Sequence, residues 1–543
     1  MESSVERKAA EGGPGEGSEG PLQVYNRTLD RIWAFIVHRT GLEKWALRPQ
    51  PEFSFRPAYW TGAFVASAFF LQIATGLLLL VYYVPSASPA TSGAAPQAWA
   101  TTSYTIHDVP LGQLILSAHL YGAYATIFLG FIHFFRGLYA GAYKPPRELS
   151  WMVGTFLLVA MLGMGFTGYL LPYTALSVGA TDVGLALASS VPSVGPLLVN
   201  LLQGDGTYQG LLSRMFALHV VILPAMLAAL LYAHISLFEV HGIAPPATSD
   251  PKAKRVLTPA DDRKMTPWFP RVFLYMVKWG LIYVGVLLFV AAAWPSTLAA
   301  YFGSQNQAGA SPEPDWYFLW MYKLADFQYV SPLVAVGTVT ALVLFVLFLP
   351  WIEQVLGVVH PGLKVGRTHP RDRPFLLFTG NFLLSLFALL TVWGGVMPGV
   401  VVPVAMYGAY LGGLALFNAA VIALFYSRYR RRYLFRVRFA LPRVARLADP
   451  GHGEQGSGTK PAQAPLPARG VSFRRMCFGA VLTAALLVPL GYLLTLPSLT
   501  GRVVEQHFAV GMGVLVLGVA ALLHLLEGAY APARVLRPRP VSG

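Results

Sequence analysis

GQLILSAHLYGAYATIFLGFIHFFR (112–136) and LSRMFALHVVILPAMLAALLYAHIS (212–236) are apolar stretches long enough to cross a bilayer as helices, and each carries two histidines. His119 and His133 are 14 residues apart; His219 and His234 are 15 apart. Each pair therefore lies on roughly one helix face, with a rise of about 21–22 Å between its members. Two such helices side by side present imidazoles at two matched depths, an arrangement that can clamp two flat tetrapyrroles, one above the other. Iron held by two imidazoles has no open position, so it carries electrons and binds no substrate. The competing reading of any single intramembrane histidine is an interhelical hydrogen bond.

Of the 543 residues, 55% are hydrophobic and only 12% charged, and apolar runs of this length do not recur in an ordinary soluble domain. Ten spans are predicted, near 59–83, 112–136, 151–171, 212–236, 272–294, 332–350, 375–394, 404–427, 476–497 and 506–528. The expected fold class is all-α, a polytopic membrane protein whose first four spans form a dihaem four-helix bundle. No cleavable signal peptide is visible. The net charge of +15 is distributed unevenly. The loops after spans one and three have no Lys or Arg until Arg214, and the loop after span five has only Lys323. The other side holds Lys144, Arg147, the clusters Lys252–Arg271 and Lys364–Arg373, and twelve more basic residues from Arg428 to Arg475. This is the positive-inside pattern, and it places both termini in the cytoplasm, with no nucleic-acid partner. The lone Cys477 excludes a disulfide and reads as a small packed hydrophobe; without CxxCH there is no c-type haem attachment.

With the N-terminus inside, spans two and four both run inward. His119 then pairs with His219 at the outer level, and His133 with His234 at the inner one. Glycines repeat the spacing: Gly62 and Gly76 on span one, Gly154 and Gly168 on span three, each pair 14 apart. Those spans run outward, so Gly76 and Gly168 fall at the outer level, and Gly62 and Gly154 at the inner. A porphyrin lying flat against a helix needs a position without a side chain; close helix packing is the other use of such glycines. Arg136 and Arg214, flanking the inner and outer levels, are placed either to pair with haem propionates or to snorkel to the interface.

Read together, QIATG (72–76), H-x13-H, YKPPRELSW (143–151), FTGYLLP (166–172), H-x14-H and PDWYFLW (314–320) resemble the cytochrome b subunit of the bc-type quinol–cytochrome c (or plastocyanin) reductases, in the family's order over roughly residues 23–400. The resemblance implies an enzyme acting within a multi-subunit complex. Quinol is oxidised at the outer face with a Rieske iron–sulfur protein, and electrons pass through two non-covalent b haems to a quinone site at the inner face, with proton translocation. It implies a cytochrome c-type acceptor, a homodimeric complex and a bacterial-type cytoplasmic membrane. The family's PEWY motif reads Pro314-Asp315-Trp316-Tyr317 here, so Asp315, Tyr317 and Tyr322 are the implied catalytic residues. Tyr169, Gly179, Pro314 and Trp316 are implied around the quinol. Asp is one methylene shorter than the usual Glu, and the resemblance implies that this form goes with low-potential quinols such as menaquinol. The aromatic belt of a membrane interface is the other reading of Trp316 and Tyr317. His241, at the cytoplasmic end of span four, is a candidate to bond a quinone carbonyl at the inner face; an ordinary loop histidine is the other reading. The family's Lys–Asp pair at span five has no match at Tyr275-Met276, Trp60 stands where the chloroplast branch attaches an extra haem, and Ser117-Ala118 replaces an Arg before the first ligand.

Residues 1–22 form a disordered tail, and 23–245 the haem core, entered by an amphipathic interfacial helix over 23–48. Residues 246–427 form the second part, with the PDWY loop and four helices; 428–473 are a basic cytoplasmic linker. Residues 474–543 hold two extra spans of unknown role, with His507 and His524 about 100° from sharing a face. Two other functions share some of these features: a dihaem membrane anchor of a dehydrogenase, which has no need of the PDWY loop, and a proton-coupled secondary transporter, which has no haem.

Overall fold

The computed structural model describes residues 48–424, apart from 90, 92–93, 205, 245–264, 305–312 and 360–373, together with 35 and 39–41. The N-terminal tail, nearly all of the predicted interfacial helix, the basic linker and the last two spans, with Cys477, His507 and His524, lie outside the described residues.

The described chain is helical: α1 (Thr61–Leu80), α2 (Gln97–His107), α3 (Gly112–Ala140), α4 (Glu148–Leu170), α5 (Ala175–Ser189), α6 (Val194–Gln203), α7 (Tyr208–His241), α8 (Phe273–Ala293), α9 (Trp316–Ala325), α10 (Pro332–Val359), α11 (Pro374–Val396) and α12 (Val404–Leu424). Among the described residues, eight helices are long and apolar enough to span a membrane, and they coincide with the first eight predicted spans. They are apolar all round, and large side chains such as Phe70, Leu77, Val221, Tyr232 and Phe417 stay exposed. Such faces suit lipid, or contact with other membrane helices, rather than water.

α1 packs along α3, and α4 along α7, so the four spans carrying the histidines and glycines form one bundle. α3 ends at Gly141, whose left-handed backbone (φ 59°) lets its N–H and that of Ala142 cap the carbonyls of Leu138 and Gly137. α8 lies against α3 and α1, and α11 against α3 and α9.

The segments between spans one and two and between three and four, expected only as loops, fold as α2, α5 and α6. α5 opens with a capping box between Thr174 and Ser177. Leu170, Tyr173, Val178, Leu185, Leu211, Leu212 and Met215 form a core where α4 ends and α7 begins. Bonds from the Trp99 indole to the Ala299 carbonyl (2.8 Å) and from the Ala175 N–H to the Ala300 carbonyl (2.9 Å) tie this layer to the chain leading to α9. At the opposite end, β1 (Pro49–Pro51) pairs antiparallel with β2 (Met265–Pro267).

α9 is fixed by Lys323, fully buried, which donates to the Met397 and Val400 carbonyls (2.7 and 2.9 Å) and pairs with Asp326 at 3.2 Å. This anchors the helix whose first residues carry the PDWY motif.

Candidate functional site

The histidines meet as the spacing predicts. The rings of His119 and His219 have centroids 6.3 Å apart and planes at 80°; those of His133 and His234 are 6.3 Å apart at 81°. A metal–imidazole bond is about 2.0 Å and a five-membered ring has a radius of about 1.15 Å, so two rings gripping one iron should stand about 6.3 Å apart. Both pairs fit. Each pair supplies two imidazoles, as iron held in a tetrapyrrole ring requires.

The other ring nitrogen is held by the helix opposite. Thr75 Oγ1 lies 2.9 Å from His119 Nδ1 and already donates to the Leu71 carbonyl, so it accepts from Nδ1–H. His219 Nδ1 faces the Met164 carbonyl (3.1 Å) and Thr167 Oγ1 (3.3 Å). A carbonyl only accepts, so Nδ1 is again the donor. In both rings Nε2 keeps its lone pair for a metal. Thr61 Oγ1 lies 2.9 Å from His133 Nδ1. His234 has no such partner: position 153 is Val, and its Nδ1 is aimed at the Ser150 carbonyl without reaching hydrogen-bonding geometry.

Each threonine precedes one of the spaced glycines. A Cβ at Gly62 would lie 3.0 Å from His133 Cε1; at Gly76, 3.2 Å from His119; at Gly154, 3.2 Å from His234; at Gly168, 2.5 Å from His219. The level assignment therefore matches glycine by glycine. From sequence alone these glycines are assigned to a porphyrin face; in the structure the group nearest each is an imidazole. The Thr–Gly dipeptide lets a ring approach and then holds it.

The unequal spacings, 14 and 15, have a physical reason. Leu218–Ile222 form a π turn inside α7, with the Leu223 N–H bonded to the Leu218 carbonyl five residues back. Pro224 follows, and it lacks the N–H that would bond the Val220 carbonyl. The π turn absorbs one extra residue, so 15 residues of α7 match 14 of α3.

The PDWY segment reaches the same region. Asp315 is the N-cap of α9, where a carboxylate ordinarily accepts from first-turn N–H groups; this one does not. Tyr124 Oη donates to its Oδ1 (2.6 Å) and Tyr317 Oη to its Oδ2 (2.8 Å). Burial pushes the Asp315 carboxyl above the usual carboxylate range, and the two phenol bonds partly offset this. Burial, with Asp315 beside it, holds the Tyr317 phenol well above its ordinary value, so it stays a donor. Gly165 makes room for it: a Cβ there would lie 2.7 Å from Tyr317 Oη. A cavity of about 430 Å³ is lined by Asp315, Tyr317, Tyr124 and Tyr169 together with His119, His219, Gly76 and Gly168. Carboxylate, phenols and the first imidazole pair thus share one chamber.

Of the other predicted residues, only Tyr169 reaches the chamber. Tyr169 lines the chamber and donates to the Glu313 carbonyl (2.9 Å). Gly179, Pro314, Trp316 and Tyr322 do not line it. Trp316 packs edge-on against Phe128 and Phe387. Tyr322 is half-buried near Asp326 and Glu313. The Arg136 guanidinium lies 4.7 Å over the Tyr59 ring. Arg214 donates to the Gly210 carbonyl (3.0 Å). The His241 carbonyl accepts from Arg147 (3.0 Å). Tyr124, Gly165 and the three threonines are missing from the sequence-derived set. A Thr before three of the four spaced glycines, at 61–62, 75–76 and 167–168, is a readable signal for the threonines; an aromatic in an apolar span gives none for Tyr124.

Residues 124–300 match the family described as Cytochrome b(N-terminal)/b6/petB. Over 404 residues the chain is 32% identical to cytochrome b of Sulfolobus acidocaldarius, covering 69% of this chain and 68% of that protein. It is 40% identical over 178 residues to the menaquinol:cytochrome c reductase cytochrome b subunit of Geobacillus thermodenitrificans, covering 32% of this chain and 76% of that one. A solved chain of a hyperthermophilic respiratory complex III shares the fold with a TM-score of 0.54 at 24% identity, covering 74% of this chain and 96% of that chain. Identity of this extent over two thirds of a relative's length means that the chain belongs to the cytochrome b family, the b-haem membrane subunits of electron-transport oxidoreductases.

Proposed function

We propose that this chain is the quinol-oxidising, two-haem subunit of a bc-type complex in a cytoplasmic membrane, with both termini on the inner side. Quinol, of the low-potential naphthoquinol class, enters the Asp315 end of the chamber at the outer face, beside the space between His119 and His219 that a haem would fill, and a Rieske protein and a cytochrome c-type acceptor take electrons onward. The complex is a homodimer, and the inner quinone lies near His241. The carrying observation is that the Asp315 carboxyl and the His119–His219 pair line one cavity.

His119 with His219, and His133 with His234, would hold two b haems through Nε2. When bound, these supply one-electron relays at two levels, linking oxidation at the outer face to quinone reduction at the inner. The protein's own work is protonic and positional. Asp315 accepts a proton as the quinol is oxidised. Tyr317 donates to Oδ2 and turns the carboxyl away from the α9 N–H groups, into the chamber. Apolar walls exclude water, which strengthens every polar contact inside.

The base must be ionised, so turnover falls as pH drops through the Asp315 pKa. Because burial raises that pKa, the acid limb of kcat should sit above the ordinary aspartate range. In the purified complex, Asp315→Asn should lose ~100-fold or more in quinol oxidation while keeping both haem absorption bands. Unchanged turnover in that variant would remove the proposal.

A further inference from the structure

We propose that Tyr124 is the catalytic residue that meets the quinol hydroxyl and relays its proton to Asp315; this rests on the quinol-oxidation reading above. An aspartate is one methylene, about 1.5 Å, shorter than a glutamate, and both oxygens of this one are already engaged. The two phenols that engage them differ. Tyr317 is 2% exposed and enclosed against Gly165. Tyr124, on the neighbouring α3 and five residues from His119, is half-open and lines the chamber. Its oxygen donates its one proton to Oδ1 at 2.6 Å and keeps lone pairs able to accept another. Its ring is braced edge-on by Tyr121 and Tyr317, and the Tyr121 hydroxyl is itself tied to the Trp294 carbonyl at 2.7 Å. The phenol therefore extends the reach of a short carboxylate.

The step balances without an oxidant. The quinol O–H proton passes to Tyr124 Oη while the proton already on Oη passes to Asp315 Oδ1. One O–H bond breaks in the quinol, one re-forms in Tyr124, and one forms in Asp315. The quinol becomes its mono-anion, the carboxylate becomes a neutral acid, Tyr124 ends unchanged, and no electron moves. The titratable groups around Asp315 are Tyr124 from α3, Tyr169 from α4, Tyr317 on its own helix and the nearby Glu313.

The test uses the purified complex oxidising a short-chain naphthoquinol. Tyr124→Phe should lower kcat by ~100-fold, leave KM within about twofold, retain both haem bands, and move the acid limb to higher pH because a bond that lowers the Asp315 pKa is gone. Adding Asp315→Glu to Tyr124→Phe should recover about tenfold, since the longer acid reaches the quinol directly. A 3-fluorotyrosine at 124, which keeps ring and hydroxyl, should also shift the pH profile. A wild-type rate and profile in Tyr124→Phe, with Asp315→Asn inactive, overturns the relay and leaves the quinol site standing. Wild-type rates in both variants overturn the quinol site as well. No recovery with glutamate, or no shift with fluorotyrosine, reduces Tyr124 to packing and overturns the relay.

Discussion

The two histidine levels have the same ring geometry, 6.3 Å and 80–81°, yet different surroundings. At one level both rings are held through Nδ1, by Thr75 and by Thr167 with the Met164 carbonyl, one ring sits on a π turn, and the pair opens onto the Asp315 chamber. At the other, Thr61 holds one ring and Val153 stands where a threonine would hold the second. Clamping geometry is thus set by helix register, whereas the supports are free to differ. The more heavily braced level is the one that shares a cavity with the buried Asp315 carboxyl.

The largest break in this comparison should come from adding one methyl group at each level. Gly168→Ala places a Cβ 2.5 Å from His219, too close without displacing the ring, whereas Gly154→Ala needs His234 to yield only a few tenths of an ångström from 3.2 Å. Haem spectra of the purified variants should show the first centre lost in Gly168→Ala and both kept in Gly154→Ala. Equal losses would mean that the levels are equally tight. A smaller effect is expected from Thr75→Val, which leaves the buried His119 N–H unsatisfied. It should cost about 1–3 kcal/mol, read as roughly tenfold weaker haem retention in a competition assay with apomyoglobin. The smallest change sharpens the contrast from the other side. Val153→Thr offers His234 the missing hydroxyl and should slow thermal release of the second haem, by about 1 kcal/mol in barrier; faster release would show that position 153 does not face that ring.

Much of this was legible because lipid leaves a chain few options. Outside closed barrels a span must be a helix with all its backbone bonds internal, so the first eight are readable from hydropathy, and the imidazole levels from periodicity. The segments folding as α2, α5 and α6 were missed because short helices packed by tertiary contacts, such as Val178 and Leu185 on Leu211, lack that constraint. The π turn left a trace, one surplus residue beside Pro224, that acquires meaning only when the two levels are compared. The Tyr124–Asp315 bond joins residues 191 apart, and nothing local in either stretch announces it. Pro314 and Trp316 share the motif but are not among the residues that line the chamber with Asp315 and Tyr317.

The small β1–β2 ribbon pairs Pro49 with Pro267, beside Trp268 N–H to Arg48 carbonyl (2.9 Å) and an Arg48–Glu239 ion pair. It clasps the entry of the first span to the entry of the fifth. A polypeptide severed between 245 and 264 would leave one strand on each fragment, so the halves could find their alignment as separate translation products. The ribbon thus gives the two parts a noncovalent point of registration in addition to the chain that joins them.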